Sequence, residues 1–184
     1  TFDDFMTAAR FGQALGEADG LVKKLISVHA WPIPSYFVPL KPYLPEGKAA
    51  ALLMVAAPAM ELFEEMVREW GGELTYRKES GKGTALAEFT WNHTTLHGRS
   101  VDSSLTYLQT LFPYDSELKL VEHMYRHFGD EVMMHLEFFR VEGKVIPAAL
   151  QIVRFSSEER LNQIIRYHEE QGAFIANPHT YMLE

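Results

Sequence analysis

The stretch VMMHLEFFRVEGKVIPAALQIVRF, Val132 to Phe155, decides the fold. Its two halves are rich in β-branched and aromatic residues, and Glu142-Gly143 between them reads as a turn. Two strands are predicted, 132–140 and 144–155, folded back on one another. Successive strand side chains point to opposite faces, so the even positions Val132, Met134, Leu136 and Phe138 belong against a layer of helices. The odd positions then place His135 and Glu137 together on the other face, between Met133 and Phe139. In the second strand Ile146, Ala148, Leu150 and Ile152 form one apolar set, and Val145, Ala149, Gln151 and Val153 the other. If the first of these shares the core with the even positions, Gln151 joins His135 and Glu137. A two-residue turn would instead set Met134 opposite Gln151, so a bulge or longer turn is predicted near Gly143.

Upstream, Ser103–Leu111 reads as a strand ending at Pro113. A helix follows, capped by Asp115 or Ser116, with Leu118, Val121, Met124, Tyr125 and Phe128 at helical spacing and Gly129 as its stop. Downstream, a capping box from Ser156 to Glu159 opens a helix carrying Leu161, Ile164 and Ile165, which ends at Gly172 before a short strand, 173–176. The order β-α-β-β-α-β predicts an α+β fold of ferredoxin-like type, an antiparallel sheet with helices on one face.

The N-terminal half repeats the idea loosely. Phe2, Phe5, Met6 and Ala9 mark a helix, 25–30 and 50–56 are strands, and the run Trp31–Pro45 between them holds five prolines. Pro58 opens a helix with Met60, Phe63, Met66, Val67 and Trp70, and a strand is expected over 73–78. The reading is one α+β unit of 184 residues in two loosely duplicated halves, 1–82 and 83–184, joined near Glu79–Gly83 and by a helix over 83–99.

Composition narrows the function. With 47% hydrophobic and 23% charged residues the chain can bury a core. It has no cysteine, which excludes disulfides, thiolate metal centres and cysteine nucleophiles and is compatible with a cytoplasmic location. A net charge of −8 with scattered basic residues argues against nucleic acid as a partner. No apolar run is long enough for a membrane helix. The first residues, Thr1-Phe2-Asp3-Asp4, lack the pattern of a secretory signal, and the missing initiator methionine leads us to expect a piece of something longer.

Three constellations could carry chemistry. His135 and Glu137 form a polar pair in an apolar setting, suited to proton transfer in a pocket or to simple pairing on a covered sheet face. Two ligands on one strand, with neither an HExxH helix nor a histidine cluster of metal-binding spacing, do not make a metal site. Trp91-Asn92-His93 opens TWNHTTLH, where a helix would put His93 and His97 one turn apart, with Trp91 as an apolar wall and Asn92 or His93 as hydrogen-bonding groups. Tyr107 and Gln109 share a strand face with Leu105 and Leu111. Glycine-rich nucleotide loops and the GxSxG elbow are absent.

Two segments, EFTWNHTTLHGRSVDSSLTYLQTLFP (Glu88–Pro113) and GAFIANPHTYMLE (Gly172–Glu184), resemble FAD-linked oxidases of the vanillyl-alcohol oxidase flavoprotein superfamily, in particular bacterial FAD-binding oxidoreductases. The resemblance covers most of the chain as the cap, or substrate, domain. It implies a separate FAD-binding domain as partner, a small-molecule substrate such as an alcohol or 2-hydroxy acid, and oxidation by hydride transfer to FAD. It also implies a cap sheet lying over the flavin ring. His135 and Glu137 would then be catalytic, Gln151, Trp91, Asn92, His93, Tyr107 and Gln109 substrate-binding, and Asn177 and His179 would begin the return of the chain to the cofactor. Such a cap, freed of its partner, should expose apolar surface around Trp31–Tyr43 and on the open sheet face, through which it could dimerise. The alternatives are a stand-alone ferredoxin-like binding or dimerisation module, and a small flavin-free dimeric α+β-barrel enzyme.

Overall fold

The predicted hairpin forms with the tightest possible turn. β4 (Val132–Met133) and β5 (His135–Val141) run antiparallel to β6 (Lys144–Arg154). Val141 pairs with Lys144, Leu136 with Ala149 and Met133 with Ile152, one unbroken register. Glu142 and Gly143 have φ of 49° and 82°, the two left-handed residues of a turn whose twist matches the strands it joins. The expected bulge is therefore absent, and Gln151 falls on the helix side, where its amide meets the Met134 sulfur at 3.5 Å. The two-residue turn chemistry won over the assumption that Gln151 would avoid the core.

The computed structural model describes residues 1–79, 85–113 and 117–178. They form a mixed fold of helices and one antiparallel seven-stranded sheet. β1 (Lys23–His29), β2 (Ala50–Val55), β3 (Leu105–Leu111) and β7 (Phe174–Ala176) complete it. The spatial order is β2-β1-β5-β6-β3-β7, with β4 also on β6. β1 pairs with both β2 and β5, so strands from both parts of the chain share one sheet.

One sheet face carries the main core. α1 (Phe5–Glu17), α2 (Met60–Glu69), α4 (Glu117–Phe128) and α5 (Glu158–Glu170) are the helices concerned. They bury Phe11, Leu15, Phe63, Val121, Met124 and Ile164 with Val28, Leu108, Met134 and Leu136 of the sheet, each such side chain removing apolar area worth ~1.5–3 kcal/mol. Two glycines let α1 lie close to the hairpin. A Cβ at Gly16 would stand 2.5 Å from Val145 Cγ1, and one at Gly12 2.7 Å from a Phe138 ring carbon. Asp4 caps α1 by accepting from the Thr7 N–H at 2.7 Å. Ser157 caps α5, one residue later than the capping box predicted, by accepting from the Arg160 N–H.

The other face is covered in part by irregular chain. Ile33, Tyr36, Phe37 and Leu40, from 3-10 turns over Ile33–Tyr36 and Val38–Tyr43, pack with Leu52, Phe89, Leu105, Met133 and Ile152 into a second apolar cluster. The segment expected to be an exposed patch is buried in part: Ile33, Pro34, Tyr36, Phe37 and Leu40 are buried because they have their own sheet to cover, while Val38, Pro39, Lys41, Pro42 and Tyr43 stay exposed. Residues 73–78 form no strand. The helix expected over 83–99 is a 3-10 turn, Leu86–Phe89, followed by α3 (Asn92–Val101). Residues 80–84 and the predicted caps Asp115 and Ser116 lie outside the described residues.

Candidate functional site

The polar residues on the 3-10-covered face gather at the β1–β5 contact. Ser27 pairs with Glu137 and His29 with His135 across the two strands, which sets all four side chains on one face. Ser27, His29 and His135 have no accessible surface and Glu137 has 1%. Glu137 Oε1 accepts from Ser27 Oγ–H, from His135 Nε2–H and from the Trp91 N–H, each at 2.8 Å. With the Ser27 proton given to Glu137, His29 Nε2–H donates to Ser27 Oγ at 2.9 Å. The chain of hydrogen bonds runs His29 to Ser27 to Glu137. Ser27 has no accessible surface and so presents no nucleophile to a substrate.

The two imidazoles stack with centroids 4.4 Å apart and planes 19° from parallel. Both use Nε2 toward Ser27 and Glu137, and both Nδ1 atoms are buried without a hydrogen-bond partner. A bare nitrogen lone pair is the less costly of the two unsatisfied forms, which fits a neutral His29. Burial, and next the neighbouring His135, push the His29 pKa well below the ordinary 6.5. Phe37 meets His29 edge-on at 5.1 Å, Phe89 meets Phe37 at 5.2 Å, and His97 stacks on Phe89 at 4.4 Å. This aromatic column roofs the cluster from within the chain itself.

Trp91 links the cluster to the surface. Its backbone has φ 53° and ψ −140° at the N-cap position of α3, where it offers no side-chain cap, a conformation costing a bulky residue ~1–3 kcal/mol. The indole is half-exposed, and Asn92 and His93 beside it are exposed. His97 does not join His93 in a chelating pair; it donates from Nε2 to the Glu88 carbonyl at 3.0 Å.

The other predicted residues lie elsewhere. Gln151 belongs to a separate cluster beneath α5, accepting from Thr110 Oγ1–H at 2.5 Å and donating to His168 Nε2 at 3.0 Å. His168 in turn donates from Nδ1 to the Ile164 carbonyl, and burial first of all lowers its pKa. Gln151 is thus parted from His135 and Glu137 by the thickness of the sheet. Tyr107 and Gln109 do share the His135 face, but Gln109 pairs with Leu150 and Ala176 two strands away and is exposed, while Tyr107 is half-buried. Asn177 follows β7, and His179 lies outside the described residues. Sequence reasoning passed over Ser27 and His29, although the alternation of Ile26, Val28 and Ala30 with Ser27 and His29 is the same signal that picked out His135 and Glu137.

Among the described residues no group of three or more histidines and carboxylates is arranged to hold a metal, and no helix is long and apolar enough to cross a membrane. A crevice of about 50 Å³ runs along β2, lined by Leu40, Tyr43, Phe63, Tyr76 and Leu86 among others, with room for a few waters; none of the four clustered polar residues lines it. No protein-family model matches the chain, and a search of curated proteins gives no significant match.

Proposed function

We propose that the chain is the substrate-binding cap of an FAD-dependent oxidoreductase that oxidises an alcohol or 2-hydroxy acid. The observation that carries the reading is the uncovered part of the sheet. Beyond the aromatic roof, the face opposite the helices presents Gln109, Leu111 and Phe174, the last two 45% and 67% exposed, next to Tyr107, Ala148 and Ala176. A mostly apolar exposed surface of this kind is what a neighbouring domain covers. The β5-β6-β3-β7 order, with α4 and α5 on one face, supports the ferredoxin-like assignment made from the sequence.

The residues present fit a flavin in part: the open face offers the apolar Leu111 and Phe174 with the Gln109 amide at hand, and the phosphate-binding loop would come from outside this chain. Flavin, when bound, supplies the hydride acceptor. This chain's own share is to shape the chamber. Tyr107 and Gln109 face the substrate in this reading, Trp91, Asn92 and His93 form a rim, and His135 and Glu137, sealed from the substrate, hold the wall from within. The likeness of Glu88–Pro113 and Gly172–Glu184 to the flavoprotein caps supports it.

The test is a visible spectrum of the intact protein, titrated without oxygen against a panel of alcohols and hydroxy acids. Bound flavin that bleaches with one of them is expected. An intact protein that binds no flavin overturns the reading, and the same open face then favours a stand-alone module pairing with a second copy, which would appear as a dimer by light scattering.

A further inference from the structure

We propose that Glu137 is a positioning residue for Trp91: a carboxylate sealed inside the sheet face holds the Trp91 turn in its left-handed conformation and so fixes where the half-exposed indole stands. Three observations converge on it. The Trp91 N–H is aimed at Glu137 Oε1 at 2.8 Å. That N–H belongs to a bulky residue with positive φ at a helix start, where a serine, threonine, aspartate or asparagine is usual and would supply its own cap. The acceptor cannot swing away, because Ser27 of β1 and His135 of β5 donate to the same oxygen.

The arrangement inverts the common one. Helix starts are ordinarily fixed by the cap residue's own short side chain, which ties that side chain to the backbone. Here the fixing group is in the interior, and the surface residue keeps its whole side chain for contact. An aromatic ring held this way offers a rigid apolar face with little conformational freedom to lose on binding. The inference stands apart from the flavin reading, since it concerns this chain alone.

Fluorine NMR of the full chain labelled with 5-fluorotryptophan tests it, because the protein has three tryptophans and Trp91→Phe assigns the Trp91 signal. Glu137→Gln should shift or broaden that signal, leave those of Trp31 and Trp70 in place, and speed amide exchange at Trp91 at least about tenfold. Gln151→Ala removes an equally buried hydrogen-bonding side chain and should leave the Trp91 signal unmoved. A folded Glu137→Gln protein with an unchanged Trp91 signal and exchange rate overturns the proposal, as does a Trp91 response to Gln151→Ala of the same size. Should Glu137→Gln not fold, the wild-type protein decides: the Trp91 amide must exchange as slowly as amides of β5, and exchange at the rate of Asn92 or His93 overturns it.

Discussion

The sheet carries two buried polar clusters, one on each face, and they differ in what they leave unfinished. Under α5, Gln151, Thr110 and His168 close on themselves: both His168 nitrogens and both ends of the Gln151 amide have partners. Between β1 and β5, two imidazole nitrogens have none, and one carboxylate oxygen reaches out to a strained turn at the surface. A satisfied network serves packing. One that accepts open valences and backbone strain marks the place where the fold gives up stability for something else.

The comparison can be broken by substitution. The largest effect belongs to Glu137→Ala, which strands three donors at once and should cost about 3–5 kcal/mol in urea unfolding; a loss under 1 kcal/mol would mean the carboxylate is dispensable. Gln151→Ala strands the Thr110 hydroxyl and the bare His168 nitrogen, and about 2–3 kcal/mol is expected from the same measurement, with Trp91 fluorescence unaltered. Acid should act next. The folded protein holds His29 neutral while the unfolded chain takes up a proton near the ordinary 6.5. Stability is therefore complete above that pH and falls as the pH drops below it, by at most about 1.4 kcal/mol per unit for one proton. His168 adds in the same direction. His29→Gln should flatten part of the slope between pH 6.5 and 5, and an identical slope would assign the acid sensitivity elsewhere. The smallest effect is that of Ser27→Ala, about 1 kcal/mol, with the His29–His135 stack retained in the histidine ring proton shifts.

Much of this arrangement was legible in the residues. Period-two alternation located β5 and β6 and told which face His135 and Glu137 share; helical spacing and glycine stops located α2, α4 and α5 to within a few residues, and spacing alone marked the start of α1. What failed was register. Gln151 looked out of place in a core, yet the Glu142-Gly143 turn admits one pairing and puts it there, and only His168, seventeen residues further along, explains how an amide is tolerated. The covering of the His135 face was hidden for another reason. The prolines of 31–45 preclude regular helix and strand, so Phe37 and Leu40 carry no periodic signal of burial. Trp91 was singled out as a wall, but its left-handed backbone has no signature in a tryptophan codon.

Ser27 and Glu137 are separated by 110 residues, and the seam where they meet joins the second strand pair of the sheet to the first. A nascent chain halted before His135 holds only the serine and one imidazole, without the carboxylate that anchors them, and a fragment starting after residue 82 holds only the carboxylate and the other imidazole. Loop-closure entropy makes so distant a pairing costly, and the cluster is expected to close after the local β5–β6 hairpin. It exists only where β1 and β5 have paired.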